Sequence, residues 1–107
     1  MPRQTDIRQV FQQRLKQTRQ ELQLSQKELG IRTGLDAFVA SARINRYEQG
    51  VHEPDMAMVD RMALALNVPA AYLLTRDDRL ARMILAFDRL STSKKADLLR
   101  MLESDNS

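Results

Sequence analysis

The sequence predicts an all-α protein, and three observations carry that reading. Glycine and proline number only three each in 107 residues, and aromatic residues make up 5%. Leu, Ala, Arg, Gln and Met abound, and all are strong helix formers. Apolar residues recur at three- and four-residue spacing, with no alternating strand pattern between them. At 43% hydrophobic and 29% charged, the composition is that of one globular domain, with enough apolar surface to offset chain entropy. The absence of cysteine excludes a disulfide-stapled scaffold. No apolar run approaches the roughly 20 residues that span a bilayer. The opening MPRQTDIRQV lacks the apolar stretch of a signal peptide. A cytoplasmic protein with no membrane partner is expected.

The first helix is expected to open at Thr5 or Asp6, either of which can cap an orphan N–H. Ile7, Val10, Phe11, Leu15, Thr18 and Leu22 form its apolar face; Arg8, Gln12, Gln13, Lys16, Arg19 and Gln20 form the solvated one. Gln23-Leu24 breaks it. Ser25 through Glu28 is a capping-box sequence for a short second helix, with Leu29 inward and Gly34 as its left-handed closing residue. Residues 36–49 read as a third helix with Val39, Ala40, Ile44 and Tyr47 inward. Its outer face offers Ser41, Ala42, Arg43, Asn45, Arg46 and Gln49, and Gly50 ends it.

Pro54 and Asp55 start a fourth helix that buries Val59, Met62, Ala63 and Leu66, with Met56 and Met58 packing at its start. Asn67-Val68 closes it, and Pro69 suits the first position of a short fifth helix through Tyr72-Leu73-Leu74. Asp77-Asp78 opens a sixth helix, where acids suit the positive end of the dipole. Its stripe is Leu80, Met83, Ile84, Phe87 and Leu90. After the Ser91-Thr92-Ser93 turn, a last helix runs over about residues 94–103 with Leu98, Leu99, Met101 and Leu102, and residues 104–107 read as a loose tail.

Charge is unevenly spread. Residues 1–52 hold nine basic and five acidic side chains, the remainder eight and nine. That suits a polyanion partner for the first half, although many cytosolic domains carry such a bias. Two short helices joined by a Gly-bearing turn, the second with a basic and amide-rich outer face, suggest a helix-turn-helix. A helix fits the major groove, Arg pairs bidentately with guanine, and Asn or Gln pairs with adenine. An ordinary solvated helix face explains the same residues.

Residues 11–74 resemble the lambda-repressor-like, Cro/CI-type (XRE) helix-turn-helix domain. The matching stretches are RLKQTRQELQLSQKELG and INRYEQGVHEPDMAMVDRMALALNVPAAYLL. Leu24-Ser25-Gln26, Glu48 to Gly50, Pro54 and the Leu66-Asn-Val-Pro run fall in the family's order. The resemblance implies a five-helix bundle over residues 5–75, a DNA-binding domain; beyond it, the apolar stripes of a helical extension over 76–103 must be buried, either back on the bundle or, the favoured reading, in a dimer interface. It implies a transcriptional regulator, usually a repressor, binding double-stranded DNA as a homodimer on an inverted repeat. Carried over, Gln26 meets a phosphate at the start of the second helix, with Lys27 beside it, and Arg43, Asn45 and Arg46 reach base edges and backbone. Ser41 and Ala42 match less closely. Ile44, Tyr47, Leu29 and Val59 match core positions of that fold.

One departure stands out. Residues 34–47 are about four longer than the family's spacing, close to one helical turn. The addition is either an extra turn capped by Asp36 or a longer loop. Other groups carry no chemistry of their own. His52 and Glu53 make no metal site, Asp77, Asp78 and Asp88 read as a helix start and a solvated face, and Met56, Met58 and Met62 read as core filling. No metal, cofactor or catalytic residue is expected, for want of a nucleophile or ligand set. The alternative function is an antitoxin-type protein-binding module that represses secondarily.

Overall fold

The computed structural model describes residues 6–105. Among the described residues seven helices follow one another: α1 (Ile7–Glu21), α2 (Gln26–Arg32), α3 (Ala37–Gln49), α4 (Met56–Leu66), α5 (Ala70–Leu73), α6 (Asp78–Asp88) and α7 (Thr92–Asp105). There is no strand among the described residues. The first five helices enclose one core, in which Leu15, Leu29, Ile44, Met62, Leu66 and Leu73 are the largest fully buried side chains.

Local chemistry sets most boundaries. Asp6, Ser25, Asp36, Asp55 and Asp77 each accept an orphan backbone N–H at the head of a helix. Ser25 and Glu28 complete a reciprocal capping box. The alternative first cap, Thr5, lies outside the described residues. Gly34 (φ 95°) and Gly50 (φ 77°) take the left-handed turns that follow α2 and α3, and Asn67 takes the one after α4.

Several expectations need correction. Leu22 is the exposed C-cap of α1 rather than part of its inner face. Gln23 turns the chain with a φ of 58°, so that Leu24 enters the core instead. Val39 faces solvent, because its neighbour Ala40 takes the inward contact and successive helical residues point about 100° apart. Met56 is exposed, whereas Met58 and Met62 are buried. Pro69 is the extended cap of α5, one residue before its first helical position. The last helix begins at Thr92 and continues through Ser104 to Asp105, beyond both expected ends.

The residues beyond the fifth helix behave differently from the bundle. Arg14 of α1 is buried and donates to the Thr75 carbonyl (2.8 Å) and to Asp78 Oδ1 (3.1 Å), while lying 5.3 Å over the Tyr72 ring. It therefore satisfies the end of α5 and holds the head of α6. Past that clamp, Ala81 is the only buried residue of α6, and α7 buries none. Leu80, Met83, Leu99, Met101 and Leu102 stand exposed.

Candidate nucleic-acid interface

The turn between α2 and α3 holds two helices unusually close. Gly30, in α2, faces Ala40, in the first turns of α3. A Cβ placed on Gly30 would lie 2.6 Å from the Ala40 Cβ and 2.9 Å from its Cα. Only a glycine admits this approach. The contact also settles the four-residue addition: α3 begins at Ala37, with Asp36 accepting from the Phe38 N–H at 3.0 Å. The addition is an extra helical turn, not a longer loop.

A polar network then links α1, α2 and α3. Arg19 donates twice to the Glu48 carboxylate, from Nε at 2.6 Å and from Nη2 at 3.1 Å. Its Nη1 donates to the Leu24 carbonyl at 2.9 Å. The Arg19 side chain is 11% exposed and that of Glu48 is fully buried. Arg19, expected on the solvated face, is instead buried by this pairing. Glu48 follows Ile44 by four residues, so it falls on the inward stripe. That spacing was the available signal for a buried partner.

Glu48 in turn orients Gln26. The Gln26 amide nitrogen donates to Glu48 Oε1 at 3.0 Å and to Asn45 Oδ1 at 3.1 Å. A carboxylate engaged by arginine can only accept, so the Gln26 nitrogen must face it. The second amide hydrogen then points at the Asn45 oxygen. Asn45 is left with its amide N–H groups directed outward as donors, and Gln26 with its oxygen. Acceptors such as a phosphate oxygen or purine N7 complement the Asn45 donors.

The outward face of α3 carries Ser41, Ala42, Asn45 and Arg46, all exposed, while Arg43 is half-buried at its flank. Lys27 is exposed at the start of α2. None of the ion pairs among the described residues involves Lys27, Arg43 or Arg46. Ile44 and Tyr47 are buried on the opposite side, with Leu29 and Val59 in the same core. All seven expected interface residues thus belong to α2 and α3. Phe38, a position to which the sequence assigns no role, is 97% exposed on the added turn.

A helix-turn-helix family model matches residues 15–73, and the chain belongs to that family, of the XRE type. The all-helical fold is consistent with the lambda-repressor-like arrangement. Among solved structures the chain is similar to one described as the crystal structure of transcriptional regulator BswR. The two are 42% identical with a TM-score of 0.81, over 87% of this chain and 92% of that one. No curated protein sequence matches the chain. Family and neighbour together support a DNA-binding transcriptional regulator. Among the described residues no cluster of His, Cys, Asp and Glu could hold a metal ion, and no helix is long and apolar enough to cross a membrane.

Proposed function

We propose that this chain is a cytoplasmic transcriptional repressor that binds an inverted-repeat operator as a homodimer, with α3 in the major groove. The carrying observation is the α2–α3 face. Its two helices are locked by the Gly30–Ala40 contact, and its Gln26 and Asn45 amides are oriented by a buried Arg19–Glu48 pair. Lys27 binds backbone phosphate through its ammonium group, and Gln26 does so through its main-chain N–H at the head of α2, its side-chain N–H groups being engaged by Glu48 and Asn45. Asn45 and Arg46 read base edges, with Ser41 and Ala42 against the groove floor and Arg43 at the groove wall. Residues 5–75 form the DNA-binding unit. The extension over 76–103 supplies the dimer contact through Leu80, Met83, Leu99, Met101 and Leu102, an apolar set that the single chain leaves uncovered. The repressor role rests on the family resemblance.

Selection of bound duplexes from a random pool tests the reading. An enriched inverted repeat, and lowered reporter expression when that repeat is placed in a promoter, support it. A pool without enrichment overturns it. Sedimentation of the chain truncated after Arg79 tests the dimer contact: a folded monomer is expected, and a truncated chain that remains dimeric removes the extension from the interface.

A further inference from the structure

Phe38 is 97% exposed, yet it stands on rigid backbone. Asp36 accepts its N–H at 3.0 Å, and Ala40, two residues on, is fully buried against Gly30. Positions 38, 42 and 45 share one face of α3 at helical spacing. That face is the outward one, opposite Ala40, Ile44 and Tyr47. We propose that Phe38 is a specificity-determining residue that packs on the 5-methyl group of a thymine in the major groove. The proposal rests on the functional reading above and extends it to a base identity.

Three considerations favour DNA as what covers this ring. Recognition helices of this type enter the major groove by their N-terminal end, and the added turn makes Phe38 the leading large side chain of that end. On its face of α3 the positions one turn further on are Ser41 and Ala42, with Asn45 a turn beyond, all small or polar, while Val39 points about 100° away. A lone phenyl among small and polar groups fits a single methyl group better than the continuous apolar surface of a protein partner. Finally, α2 and α3 carry Lys27, Arg43 and Arg46, cations outside the ion pairs among the described residues, which complements phosphate. Seven residues of helix separate Phe38 from Asn45 by about 10 Å, on the order of three base-pair steps. The thymine therefore lies about three base pairs from the base that Asn45 meets.

The experiment replaces each thymine of the selected operator, one at a time, by deoxyuridine, which lacks only the methyl group. The wild-type chain should lose about fourfold in affinity at one position per half-site, the value of one methyl-sized apolar contact. Phe38→Ala should bind the thymine operator more weakly and show no further loss at that position, whereas Phe38→Leu should retain part of the sensitivity. The exposed ring makes both variants expected to melt as the wild type does. The proposal is overturned if the wild type is insensitive to every replacement, or if the operator has no thymine there. It is also overturned if Phe38→Ala keeps the same sensitivity, or if that variant changes oligomeric state, which would make the ring a protein contact. A pool with no enriched sequence overturns the functional reading itself, and so separates the two failures.

Discussion

Substituting Gly30 by alanine puts the α2–α3 contact under direct strain. The new Cβ would meet the Ala40 Cβ at 2.6 Å and the Ala40 Cα and carbonyl oxygen at 2.9 Å. Carbon atoms rest about 3.5–4.0 Å apart, so relief requires roughly 1 Å of separation. Two of the three obstructing atoms are backbone, and no rotamer can move them. Helix α3 must therefore shift from α2, loosening Leu29, Ala40 and Ile44, all of which are fully buried. Overpacking costs about 1–3 kcal/mol, and an overlap that only backbone movement can relieve belongs in the upper part of that range, about 2–3 kcal/mol. Alanine in place of glycine within a helix offsets about 1 kcal/mol of that. The expected net loss is about 1–2 kcal/mol in equilibrium urea unfolding, with an unchanged m-value. Adding Ala40→Gly removes the Cβ–Cβ overlap but not the two backbone contacts, so the double variant should recover only part of the loss. Because α3 carries the proposed base contacts, operator affinity should fall more than affinity for scrambled duplex. A Gly30→Ala protein as stable as the wild type, or more so, would refute the close-approach argument.

Glu48→Ala should cost about 3–5 kcal/mol, since it strands the Arg19 guanidinium at an 11%-exposed site; denaturant unfolding measures it, and a loss under 1 kcal/mol would show that Arg19 reaches water instead. Asp36→Ala should cost about 0.5–2 kcal/mol as a lost N-cap and fray the added turn, checked by thermal melting, where no change would mean that the turn is held by Ala40 alone. Acid should weaken the fold through its caps. The Asp6 carboxyl is held at about 2, against 3.8 ordinarily, chiefly by the Arg8 guanidinium, and the Ser25 N–H and hydroxyl lower Glu28 while the Leu80 and Arg79 N–H groups lower Asp77. Depressed carboxyl values stabilise the fold above the unfolded-state values near 4 and lose that effect as pH falls through the folded ones. Melting temperatures should therefore fall between about pH 4.5 and 2, and Asp6→Asn, which caps without titrating, should lie closer to the wild type at the acid end than at pH 6. An equal gap at both ends would remove Asp6 from the acid response.

The helices and most of their ends were legible in the sequence because they are set by neighbours in the chain. Ser25 and Glu28 are three residues apart and close their capping box without help from the rest of the fold. Gly34 and Gly50 mark left-handed turns that few other residues tolerate, and the stripe of Val59, Met62, Ala63 and Leu66 follows from helical period alone. The location of the candidate interface on α2 and α3 was also local, since a Gly-bearing turn between two helices is a short-range pattern. Tertiary structure decided what depends on distant partners. Whether four extra residues make a loop or a turn rests on Ala40 meeting Gly30 across the α2–α3 turn. Whether Arg19 is solvated or buried rests on Glu48, 29 residues away, and that pair alone orients Gln26 and, through it, Asn45. Amphipathic period records that α6 and α7 carry an apolar stripe but not what covers it. The fold leaves that stripe open beyond the Arg14 clamp, because stripe formation is local while burial requires a surface to be brought against it.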